Sequence, residues 1–180
     1  LSEVPIKELR EDKLAELKLD EKGLGPTEGV VIAELIKFSA VLTSIDVGYN
    51  SIDKEQALSL VSIFKEKDLM KSVGLAGCDL GADGAKAVAD YVSGRAVLTT
   101  LNIARNYIGA EGAKAIATAL SGGSAVLKNL NVAYNSGIAG EAAQQLAAAA
   151  LGSASLEVLS EVPIKELRED KLTELNLMHK

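Results

Sequence analysis

The sequence predicts an α/β solenoid of stacked strand–turn–helix units. Three observations carry that prediction: a leucine frame that recurs at one period, a helical apolar stripe after each frame, and an aliphatic composition. The frame reads LTSIDVGYNSI over 42–52, LTTLNIARNYI over 98–108, and LKNLNVAYN over 127–135 with one extra residue before Ile138. A degenerate copy carries Met70, Val73, Leu75, Cys78 and Leu80, and the first runs Leu14, Leu17, Leu19 and Leu24 with Lys22 in the Asn position. Starts at 14, 42, 70, 98 and 127 are 28, 28, 28 and 29 residues apart. A fixed period of that length marks a repeat architecture in which one unit cannot bury its apolar face alone. The 180 residues are 48 % hydrophobic and 3 % aromatic without Trp, so the shared core must be Leu, Ala, Val and Ile.

Within each unit the LxL portion alternates apolar and polar side chains, as a short half-buried strand does. After the Asn comes a turn, then a helix. In 109–120, Ala113, Ile116, Ala117 and Leu120 fall at i, i+3, i+4 and i+7, one apolar stripe. Similar stripes run through Val30–Phe38, Ala57–Phe64, Ala85–Val92 and Ala142–Leu151. Asp53 suits an N-cap with Gln56 as its capping-box partner, and Pro26 suits a helix start. Gly94, Gly122 and Gly123 suit helix exits. Phe38 and Phe64 are expected in the core, and Tyr91 and Tyr107 as packing or helix-surface residues.

This frame resembles the leucine-rich repeat, and its length resembles the ribonuclease-inhibitor-like class. The resemblance implies a right-handed β–α superhelix, a horseshoe arc with a parallel sheet on the concave side and helices on the convex side. It also implies that Cys78 is a substitute for the frame Asn, a buried structural thiol. Asn50, Asn106 and Asn135 are expected to satisfy backbone groups in the turn.

A second repeat is longer. LSEVPIKELREDKL occurs at 1–14 and again at 159–172, identical at all fourteen positions. Residues 1–180 therefore read as a single solenoid domain: an atypical leading segment over 1–13, five repeats over 14–155, a short atypical unit over 156–171, and the start of a further repeat over 172–180. Pro5 and Pro163 predict an extended or 3₁₀ connection where a full helix would stand. The opening Leu1 reads as a processed product or fragment, and the duplication as a piece of a longer array. Related ends also predict head-to-tail self-association.

The net charge of −6 and a sequence pI near 4.9 disfavour nucleic acid and anionic membranes as partners, since phosphate binding needs clustered Lys and Arg. One cysteine excludes an internal disulfide and points to a reducing, cytoplasmic setting. Cys78 and the single His179 are too few for a Cys/His metal cluster. Glu16, Asp20 and Glu21 interleave with Lys18 and Lys22, a solvated mixed-charge surface. There is no GK[ST] phosphate loop and no GxSxG elbow. No cofactor, metal or catalytic residue is assigned, and the chain is read as a non-enzyme.

The resemblance implies a protein–protein interaction scaffold. The outward strand positions include Asp46, Gly74, Asn102 and Asn131, and the next frame position carries Tyr49, Gly77, Arg105 and Tyr134 along one rim. Tyr and Arg are enriched at interface hot spots, so Tyr49, Arg105 and Tyr134, with Asp46, Asn102 and Asn131, form the candidate partner-binding set. Packing of the rim residues on loop backbone or on each other is the competing reading. Two further functions compete: GTPase activation with Arg105 as a finger, which the resemblance to some regulators implies, and a purely structural spacer in a longer array.

Overall fold

The computed structural model describes residues 4–122 and 126–169. The elements follow in chain order: α1 (Ile6–Arg10), β1 (Glu16–Lys18), α2 (Pro26–Lys37), β2 (Ser44–Asp46), α3 (Lys54–Phe64), β3 (Ser72–Gly74) and α4 (Gly81–Val92). They continue with β4 (Thr100–Asn102), α5 (Gly109–Ser121), β5 (Asn129–Asn131), α6 (Gly140–Gly152), β6 (Val158–Leu159), β7 (Val162–Pro163) and α7 (Ile164–Arg168). The strands form one open sheet in sequence order, parallel from β1 to β6. Its register aligns Leu17, Ile45, Val73, Leu101, Leu130 and Leu159 in one row. The sequence period is therefore the sheet register, including the one-residue step between β4 and β5.

That row points inward and is buried from Leu17 to Leu130, and a second row of Leu19, Val47, Leu75, Ile103 and Val132 lies parallel to it. Each helix lays its stripe over these rows: Ile32 and Ile36 from α2, Leu60 and Phe64 from α3, Val88 and Val92 from α4, Ile116 and Leu120 from α5. Phe38 departs from expectation. It is 80 % exposed, because it lies two residues past the inward-facing Ile36, about 200° around the helix. Phe64 is buried as expected.

The helices sit close because their contact residues are small. A Cβ added to Gly112 on α5 would lie 2.7 Å from the Cβ of Ala85 on α4, nearer than two carbons approach. The helix ends follow local rules. Pro26 occupies the first position of α2, and the Asp53 carboxylate accepts from the N–H groups of Glu55 and Gln56 at 2.9 and 3.3 Å. Cationic side chains from the next unit close the C-terminal ends of α2 and α3. Lys67 Nζ donates to the carbonyls of Lys37 and Ser39, and Arg95 donates to the Lys65 carbonyl.

Tyr91, on α4, is buried against Phe64 with ring centroids 6.2 Å apart, and the Arg95 guanidinium lies 5.2 Å over its ring. Among the described residues its hydroxyl has no hydrogen-bond partner, and burial pushes its pKa up to about 12. An unsatisfied buried hydroxyl costs about 1–3 kcal/mol. Tyr91→Phe keeps both ring contacts and should therefore raise the urea unfolding midpoint, by about 1 kcal/mol of stability.

The duplicated segment ends the parallel ladder. Ser160 and Glu161, both at positive φ, turn β6 back into β7 as an antiparallel hairpin. Pro163 then removes an edge donor. In place of the expected extended or 3₁₀ connection, a five-residue α-helix follows the proline in both copies, α1 and α7. Proline forbids an interior helical position but is tolerated just before the first turn, where its missing N–H bonds nothing. The predicted repeat start at 172–180 lies outside the described residues.

Candidate functional site at the rim of the sheet

The turn after each strand is built across repeats. Asn106 is wholly buried. Its amide donates to the carbonyls of Leu75 (2.7 Å) and Ala104 (3.0 Å), and its Oδ1 accepts from the N–H groups of Cys78 (2.9 Å) and Leu80 (3.2 Å) in the preceding unit. Asn50 repeats this pattern on Leu19, Val47, Lys22 and Leu24, and Asn135 on Ile103, Val132, Asn106 and Ile108. One planar amide thus satisfies two donors and two acceptors of the backbone at once.

Cys78 occupies the same position. Its Sγ lies 3.7 Å from the Ala76 carbonyl, and the side chain is buried. Burial, with the Asp46 carboxylate adding to it, pushes the thiol pKa up to about 12, so the thiolate needed for nucleophilic chemistry does not form near neutral pH.

The residue before each Asn position is the rim position. Glu21, Tyr49, Gly77, Arg105 and Tyr134 all have φ between 55° and 66°. L-residues other than Gly, Asn and Asp rarely enter this left-handed region, at a cost of about 1–2 kcal/mol. The left-handed backbone turns these side chains out of the tight bend. Tyr49 and Tyr134 are 45 % and 62 % exposed, and Arg105 is exposed beside them. The Arg105 guanidinium lies 4.6 Å over the Tyr134 ring, a cation–π stack. Tyr49 lies over the backbone at Gly77, where an added Cβ would be 3.7 Å from its ring. The side-chain contacts that sequence reasoning set against a binding role are thus present at Arg105 and Tyr134, and both side chains stay open to solvent.

Asp46, Asn102 and Asn131 end their strands one row away. Each side-chain Oδ1 accepts from the N–H two residues on: Gly48 at 2.9 Å, Ala104 at 3.2 Å and Ala133 at 3.0 Å. They are partly buried and hold the turn that presents the rim. Burial raises the Asp46 carboxyl above its ordinary range, the Gly48 N–H lowers it, and Asp20 raises it further. Gly74 holds the same outward strand position and is nevertheless buried. A Cβ there would fall 2.3 Å from the Asp46 carboxylate, which lies over the glycine.

Tyr107 was missed as a rim member. It is 66 % exposed at φ 53°, in the turn just past Asn106. Glu16 and Lys18 pair at 3.4 Å on β1, a mixed-charge surface. Among the described residues no group of three His, Cys, Asp or Glu side chains is placed to hold a metal ion, and no helix is long and apolar enough to cross a membrane.

A family model described as "Leucine Rich repeat" matches residues 69–89 and 96–117, two successive strand–turn–helix units. The fold of this chain is that of a leucine-rich-repeat solenoid. Solved structures with the same architecture include the leiomodin-1 actin-binding site 2, with a TM-score of 0.67 and 15 % identity over 81 % of this chain and 84 % of that one. They also include the tropomodulin C-terminal domain of Caenorhabditis elegans, with a TM-score of 0.63 and 14 % identity over 80 % and 87 % of the two chains. At this identity the likeness is one of fold. No curated protein matches the sequence.

Proposed function

We propose that this leucine-rich-repeat chain is a non-enzymatic protein-interaction module. In this reading its concave sheet and the rim of Tyr49, Arg105 and Tyr134 face a protein partner, with Asp46, Asn102 and Asn131 holding the rim in place. The observation that carries this reading is the backbone at the rim. Three large side chains occupy a left-handed position that the neighbouring unit fills with Gly77. Strain kept where glycine would relieve it is the mark of a side chain retained for contact. The Arg105–Tyr134 stack adds pre-ordering, which lowers the entropy lost on binding. The leiomodin-1 relative, described as an actin-binding site, supports a protein as the class of partner.

The test compares the chain with a Tyr49→Ala, Arg105→Ala, Tyr134→Ala variant in cross-linked pull-down and in direct binding to actin, both baits first matched by circular dichroism. Loss of three hot-spot side chains at about 1 kcal/mol or more each weakens a real partner about 100-fold. If both baits recover the same proteins with equal yield, the rim is not the binding face and the spacer reading replaces it.

A further inference from the structure

The same fourteen residues are present twice, and where both copies are described they are buried differently. At the first copy Leu9 is 3 % exposed and Ile6 only partly buried. At the second, Leu167, the equivalent of Leu9, is 37 % exposed, and Ile164, the equivalent of Ile6, is 4 % exposed. The partners explain the exchange. α1 packs forward. Leu9, Arg10 and Asp12 border a cleft with Leu35 of α2 and Phe38 just past its end, and Asp12 accepts from the Ser39 hydroxyl at 2.6 Å and the Ala40 N–H at 3.0 Å. α7 packs backward. Its Lys165 N–H donates to the Glu157 carbonyl at 3.1 Å, and Arg168 donates to the Leu156 carbonyl. One short helix thus has two usable faces, and each copy fills one of them.

We propose that the Leu167 face of α7 is a docking site for the first repeat of a second copy of this chain, namely α2 and the Ser39–Ala40 turn. The occupant follows from the sequence identity, because this repeat already covers the same leucine in the first copy. To dock, α7 of one molecule displaces α1 of the next, an exchange of identical elements that leads to open head-to-tail chains. The resident α1 is tethered at an effective concentration in the millimolar range, so it excludes the competitor from most intact molecules.

Sedimentation velocity on full-length variants tests this. Leu9→Glu drives the resident helix off its own first repeat and leaves Leu167 intact, so that variant should form dimers and longer species as concentration rises through the micromolar range. Adding Leu167→Glu should abolish the association. Leu167→Glu alone should stay monomeric with the parental melting temperature. A folded Leu9→Glu chain that remains monomeric overturns the proposal, as does association that persists in the double variant. If Leu9→Glu does not fold by circular dichroism, Asp12→Ala, a surface lesion of the same contact, is read by the same two outcomes. The rim residues take no part, so this result is independent of the partner-binding test.

Discussion

Asn106→Ala is expected to lower stability by roughly 3 kcal/mol, because it strips the Cys78 and Leu80 N–H groups and the Leu75 carbonyl of their partner at a site with no access to water. For a chain of this size that is a fall of about 6–12 °C in the melting temperature, read by calorimetry or far-ultraviolet circular dichroism. The loss spans two repeats, since the amide joins its own turn at Ala104 to the preceding turn at Leu75, Cys78 and Leu80. Asn50→Ala, in a half-buried copy of the same pattern, should lose less. If Asn106→Ala and Asn50→Ala lower the midpoint equally, burial does not set the strength of this cross-repeat bond.

Leu101→Ala should cost about 2–5 kcal/mol, by lost burial plus the cavity left between β4 and the helices. Leu101 is 1 % exposed, at the centre of the inward row. Thr100→Ala, one residue earlier and on the opposite face, should change the urea midpoint little. The comparison isolates the strand alternation, since both side chains belong to one three-residue strand paired on both sides. Equal effects would contradict the assigned faces.

The fold was legible because each unit repeats the same physical problem. A strand of three residues and a single-stripe helix gain stability only by stacking, so Leu, Val and Ile recur at the interval that brings them into register. The Asn position was legible for a related reason, as a polar residue held at one place in an apolar frame signals backbone groups to be satisfied. Phe38 was misread because its period was judged without the rotation that follows Ile36. The left-handed backbone under Tyr49, Arg105 and Tyr134 left one clue, Gly77 in the same column, which a search for outward-facing residues passes over.

By itself the sequence determined the period, the strand and helix order and the inward rows, because these follow from local patterning and a shared core. Only the tertiary structure decided that Arg105 stacks on Tyr134, that Asp46 lies over Gly74, and that one fourteen-residue segment buries Leu9 at one site and Ile164 at the other. These are contacts between units, and identical residues meet different neighbours according to which unit lies beside them.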